Sequence, residues 1–220
     1  EHLDDWDLAP GDVIVANDPY QGGGSHLPDV TLVRPVFFQG QLVAFVANIA
    51  HWSDVGGSSP GPGTAGSATE IFQEGLRIPP TRVYYRGELR EEVLRLILVN
   101  MRDRAERLGD FRAQIASLSL GERRLQEVLA RYGAETVAAA VQELFDYSER
   151  RLRAALCEIP EGTYRFTDAM DDDGISEHPL PIQVAVRVVH GDLPSITFDF
   201  EGTAPQAAGG INMAWPALLA

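Results

Sequence analysis

In the first third of the chain, short apolar runs are broken by Gly, Pro and Asp. DVIVAND, VTLVRPVFF and QLVAFVANIAHW are rich in β-branched and aromatic residues, which predicts strands. Gln39 and Gly40 sit between the second and third runs and predict a hairpin turn. SDVGGSSPGPGTAGSATE then carries too much Gly, Pro and Ser for helix or central strand. ATEIFQEGLRIPP, mixed apolar and charged, follows at once, so an ordered surface loop is favoured over a flexible linker.

From about Gly87 to Ile159 the apolar period changes to three and four residues. EEVLRLILVNMRDRAERL, FRAQIASLSLGERRLQEVLARYG and ETVAAAVQELFDYSERRLRAAL predict three helices, punctuated by Gly109 and Gly133. Arg and Glu alternate on their outer faces, the pattern of a solvated, ion-paired surface; packing against another subunit is the functional alternative. Strands return in TYRFTDAM, LPIQVAVRVV and SITFDFEGT, with a turn at Gly191 and Asp192. The prediction is an α+β fold with a β-rich region over 1–86 that carries Gly-rich loops, a helical segment over 87–159 and antiparallel strands over 160–220.

The 220 residues are 45% apolar, enough for a real core in one large domain or two small ones. Eighteen basic against 32 acidic residues give a net charge of −14, which argues against nucleic acid or an anionic membrane as partner. Cys157 is the single cysteine, so a disulfide framework and a cysteine-based zinc site are excluded. With no leader and no membrane-length apolar run, the expectation is a soluble, cytoplasmic protein. The chain begins without Met and stops at AWPALLA, so a piece of a longer polypeptide is expected.

Two of the five histidines lie in glycine-rich segments beside carboxylates. In ANDPYQGGGSHLPD, His26 and Asp29 are three residues apart, with Pro28 stiffening the connection. In ANIAHWSDVGG, His51 ends an apolar strand and enters a loop. Two imidazoles and a carboxylate suit Mn, Fe(II) or Zn and leave positions open for water or substrate. The glycines would let the backbone approach such a site closely. From spacing alone a second reading stands, because His-x-x-Asp also occurs by chance and strand-end histidines are often only hydrogen-bonded.

ANDPYQGGGSHLPDVTLVRPVF, NIAHWSDVGG, ATEIFQEGLRIPP and FDFEGTAPQ, in that order over about Gly11 to Asn212, resemble the hydantoinase B and oxoprolinase family. That family includes N-methylhydantoinase, 5-oxoprolinase and acetone carboxylase alpha-type subunits. The resemblance implies that His26, Asp29 and His51 hold a divalent metal. Here Tyr20 is followed by Gln21, three glycines and Ser25, one residue more than the family's PYxGGxH segment, which bears on substrate access. Family members also extend well beyond the Asn212 region.

Asp18 in NDPY and Asp54 in HWSD are candidates to orient the ligands or act as general base, with turn capping as the alternative. Glu70, Gln73 and Glu74 belong to a family-like motif or to an ordinary first helical turn. Asp168 and the Asp171 to Asp173 run read as solvated loop, His178 as structural, His190 as exposed and His2 as part of a frayed terminus.

The resemblance implies the metal-bearing subunit of an ATP-dependent hydrolase that opens a cyclic amide such as a hydantoin or 5-oxoproline, working in an oligomer. ATP would be bound by a hydantoinase A-like partner, since no GxxxxGK[ST] loop is present. The metal would polarise an oxygen or activate water. An ATP-dependent carboxylase of acetone or acetophenone type is the alternative enzyme. A structural or assembly module is the non-enzymatic one.

Overall fold

The computed structural model describes residues 6–21, 24–60 and 68–219. Gly22 and Gly23, the 61–67 part of the expected ordered loop, and His2 lie outside them. The fold is α+β.

Five antiparallel strands form the first sheet: β1 (Val13–Ala16), β2 (Asp29–Phe38), β3 (Gln41–His51), β4 (Thr81–Tyr85) and β5 (Glu88–Leu89), in the order β3-β2-β1-β4-β5. β1 lies at the centre and is buried along its whole length, which explains why VIVA is a continuous apolar run. The predicted hairpin joins β2 to β3, and both Gln39 and Gly40 have positive φ. A short helix, α1 (Ile71–Glu74), lies between the sheet's two halves in sequence.

The predicted break at Gly109 is not there. Helix α2 (Glu91–Val99) ends earlier, and α3 (Arg104–Tyr132) runs straight through Gly109. A Cβ at Gly109 would meet nothing, so the residue costs only its own flexibility. The true boundary is a capping signal: the Asp103 side chain accepts from the Glu106 N–H at 3.1 Å. Gly133 does separate α3 from α4 (Ala134–Leu156). Phe111, Gln114 and Leu118 share one buried face of α3, which packs on β2 and β3.

The second sheet is an antiparallel meander of β6 (Gly162–Met170), β7 (Leu180–Val189) and β8 (Ser195–Asp199). His190 is not exposed as expected. It is half-buried, and its Nε2 lies 3.2 Å from the Leu156 carbonyl and 2.8 Å from that of Ile159, so it ties the C-terminus of α4 to the sheet. Asp173 likewise departs from a solvated loop residue, being buried. A last short helix, α5 (Trp215–Leu219), follows. Among the described residues no helix is long and apolar enough to cross a membrane.

Candidate metal centre

The open end of the β2–β3 hairpin brings three donors together. Asp29 begins β2 and stands directly opposite His51, the last residue of β3. His26 lies in the turn just before β2, where the Asp29 N–H donates to the His26 carbonyl at 3.1 Å. His26 Nε2 is 3.1 Å from Asp29 Oδ2, and the two imidazole rings are 5.1 Å apart, tilted by 48°. Donor atoms of all three residues lie within 4.8 Å of one another. Two ligands on opposite sides of one ion are separated by about 4.4 Å at most, so small side-chain adjustments suffice. Two neutral nitrogens and one carboxylate oxygen are a fitting donor set for Mn, Zn or Fe.

The surrounding chain fixes this hairpin end through buried amides. Gln114 on α3 donates to the Val30 carbonyl at 2.9 Å and accepts from the Trp52 indole N–H at 3.0 Å, thus holding the neighbours of Asp29 and His51. Asn17 donates to the carbonyls of Leu27 and Leu76 and accepts from the Ile78 N–H, which anchors the His26 turn to the segment after α1. Neither residue stood out in the sequence, because only a partner distant in the chain distinguishes them from surface amides. Gly24 makes the close approach expected of the glycines: a Cβ there would lie 2.7 Å from the Asp29 Cβ.

Asp18 and Asp54 lie outside this donor group. Buried Asp18 accepts from the Tyr20 N–H at 2.9 Å and pairs with Arg77 at 2.8 Å. Asp54, also buried, accepts from the N–H groups of Gly56 and Arg102 and from the Arg102 guanidinium. Burial pushes its carboxyl up, but these donors outweigh burial and hold it below the usual carboxylate range.

Beside the donors opens a cavity of about 250 Å³, lined by Tyr20, His26, Glu70, Glu74, Gln206 and Asn212 among others. Glu74, half-buried at the end of α1, makes no hydrogen bond or ion pair among the described residues. Burial pushes its carboxyl up, and the His26 charge offsets only part of that. Gln73 accepts from the Thr69 N–H, an ordinary first-turn role. A larger groove of about 700 Å³ between α2 and α3 is lined chiefly by apolar residues such as Leu94, Leu98 and Phe111 and holds none of these donors.

The family model for hydantoinase B/oxoprolinase matches residues 1–220. The chain is 43% identical over 183 residues to caprolactamase subunit beta of Pseudomonas jessenii, covering 82% of this chain and 31% of that protein. It is 32% identical over 209 residues to 5-oxoprolinase of Dictyostelium discoideum, covering 92% of this chain and 16% of that one. The chain thus spans a third or less of these relatives. The crystal structure of the ATP-dependent caprolactamase from Pseudomonas jessenii superposes with a TM-score of 0.81 at 38% identity, over 96% of this chain and 35% of that one. The nucleotide-free structure of acetone carboxylase shares the fold, with a TM-score of 0.77 at 21% identity over 91% of this chain and 28% of that one.

Proposed function

The chain belongs to the hydantoinase B/oxoprolinase family, and from that premise we propose that it is the metal-bearing part of an ATP-dependent amidohydrolase that opens a cyclic amide. The observation carrying this reading is the Asp29 and His51 pairing across the hairpin end with His26 beside it, in a chain whose relatives are named for caprolactam and 5-oxoproline, both cyclic amides.

His26, Asp29 and His51 hold one divalent cation, Mn, Zn or Fe. When bound, the cation supplies Lewis acidity toward the substrate oxygen. Glu74 faces the same cavity with no partner of its own among the described residues and takes the proton of the attacking water. Asp18 and Asp54 act by orientation rather than as bases, since arginines occupy both carboxylates. Asp54 steadies the loop after His51, and Asp18 steadies the turn that leads to His26. ATP is bound by a hydantoinase A-like partner subunit or domain, in keeping with the subunit naming of the caprolactamase relative. The setting proposed is a cytoplasmic oligomer.

The test is product analysis of the complete enzyme on a lactam, a hydantoin and 5-oxoproline, with ATP, partner and metal each omitted in turn. Ring-opened acid formed only with all three is the expected result. Consumption of bicarbonate in place of ring opening would establish the carboxylase reading, for which the acetone carboxylase likeness offers the fold alone. Ring opening without ATP would overturn the division of labour.

A further inference from the structure

The loop after β8 returns to the cavity beside His26, where Gln206, Ala208, Gly209 and Asn212 form part of the lining. Asp173, in the loop between β6 and β7, tethers it there. This carboxylate is only 3% exposed. Its Oδ1 accepts from the N–H groups of Ile175 at 3.0 Å and Ser176 at 2.6 Å, while its Oδ2 accepts from Ala208 at 3.1 Å and Gly209 at 3.2 Å. The Ser176 and Ile175 N–H groups, with that of Gly209, pull its carboxyl down to about 2. From the other side the fit is equally close, since a Cβ at Gly209 would lie 1.8 Å from the Asp173 carbonyl oxygen. Asn212 closes the loop on itself by donating to the carbonyls of Ala207 and Gly209 and accepting from the Ala207 N–H.

We propose that Asp173 is a positioning residue that fixes the 206–210 loop as the substrate-facing wall of the cavity and thereby presents Gln206 to a cyclic amide. The Gln206 carboxamide engages no partner among the described residues. A cyclic amide of small ring is held cis, so its C=O and N–H point the same way and match the acceptor and donor of a primary carboxamide. A site that pairs both groups discriminates against rings that lack either. This inference rests on the function proposed above for the identity of the ligand, but the tether itself does not.

Asp173→Asn separates the two halves of the contact. The remaining oxygen still serves Ile175 and Ser176, while the new NH₂ meets the Ala208 and Gly209 N–H groups donor against donor. In the complete enzyme, Asp173→Asn and Gly209→Ala should each raise the lactam KM about tenfold, with kcat within about twofold and metal content unchanged. Amide hydrogen exchange at 206–210 should quicken in both variants. Gln206→Ala should raise KM without quickening that exchange, and Asp171→Asn, exposed in the same loop, should change neither. Quickened exchange with an unchanged KM would overturn the substrate-facing role, and unchanged exchange would overturn the tether. Full activity in His26→Ala would instead strike the function proposed above and leave the exchange result standing.

Discussion

The two sheets of this chain are built on different terms. The first is a packed layer: Val13, Val15, Leu32, Val83 and Trp52 are all but inaccessible, and α3 covers β2 and β3 with Phe111 and Leu118. Buried Asn17, Asp54 and Gln114 all have hydrogen-bond partners there. The second sheet has unbroken pairing between neighbouring strands and almost no core. After Gly133 the buried apolar side chains among the described residues are Leu156, Ala185 and Val188, and every residue of β6 is exposed. Phe166, Phe198, Leu144 and Phe145 stand in the open. Backbone hydrogen bonding alone therefore defines a strand, whereas a packed layer fixes side chains well enough to bring three donor groups together.

Substitutions should divide along that line. The largest loss of stability is expected for Trp52→Ala, about 3–5 kcal/mol, because a fully buried ring and its bond to Gln114 go together; denaturant unfolding reads it. Gly24→Ala should weaken metal binding about 10–100-fold by pushing on Asp29, with the unfolding midpoint nearly unchanged, as calorimetric titration would report.

Asp54→Asn should cost about 1–2 kcal/mol at neutral pH. The wild-type carboxyl lies below its unfolded value, so its contribution is complete above about pH 4 and fades as pH falls through the lowered folded value. Unfolding curves of the two proteins should therefore converge on acidification. The smallest effect belongs to the second sheet: Phe166→Ser, at a residue 67% exposed, should stay within about 0.5 kcal/mol. A loss of several kcal/mol there would show that the second sheet is packed after all.

Six of the eight strands and both hairpin turns were legible because each depends on local pattern, alternation and turn residues; β4 and β5 were not, because TRVYYRGEL is short and lies between a loop and a segment that reads as helix. The grouping of His26, Asp29 and His51 came from the family resemblance, since His-x-x-Asp spacing alone also occurs by chance. Helix boundaries were half legible. Gly109 looked like a break, but an exposed glycine inside a long helix only weakens it, and the Asp103 cap six residues earlier, closed by the Glu106 N–H, was the stronger signal. What sequence did not reveal are roles created by distant partners. Gln114 looks like any helical surface amide until α3 is laid on the hairpin. Asp173 looks like one of three solvated aspartates until the 208–209 backbone arrives, and His190 looks exposed until α4 ends beside it.

The central claim is that His26, Asp29 and His51 share one cation. It is tested most directly by titrating the metal-stripped chain and its His51→Ala variant with Mn²⁺ and with Zn²⁺, and by X-ray absorption on the loaded protein. One ion per chain is expected, with a shell containing two imidazole nitrogens and a carboxylate oxygen, and the ion should be lost in the variant while its circular dichroism stays that of the folded protein. No uptake by the wild-type chain, or equal uptake by folded wild type and variant, would contradict it.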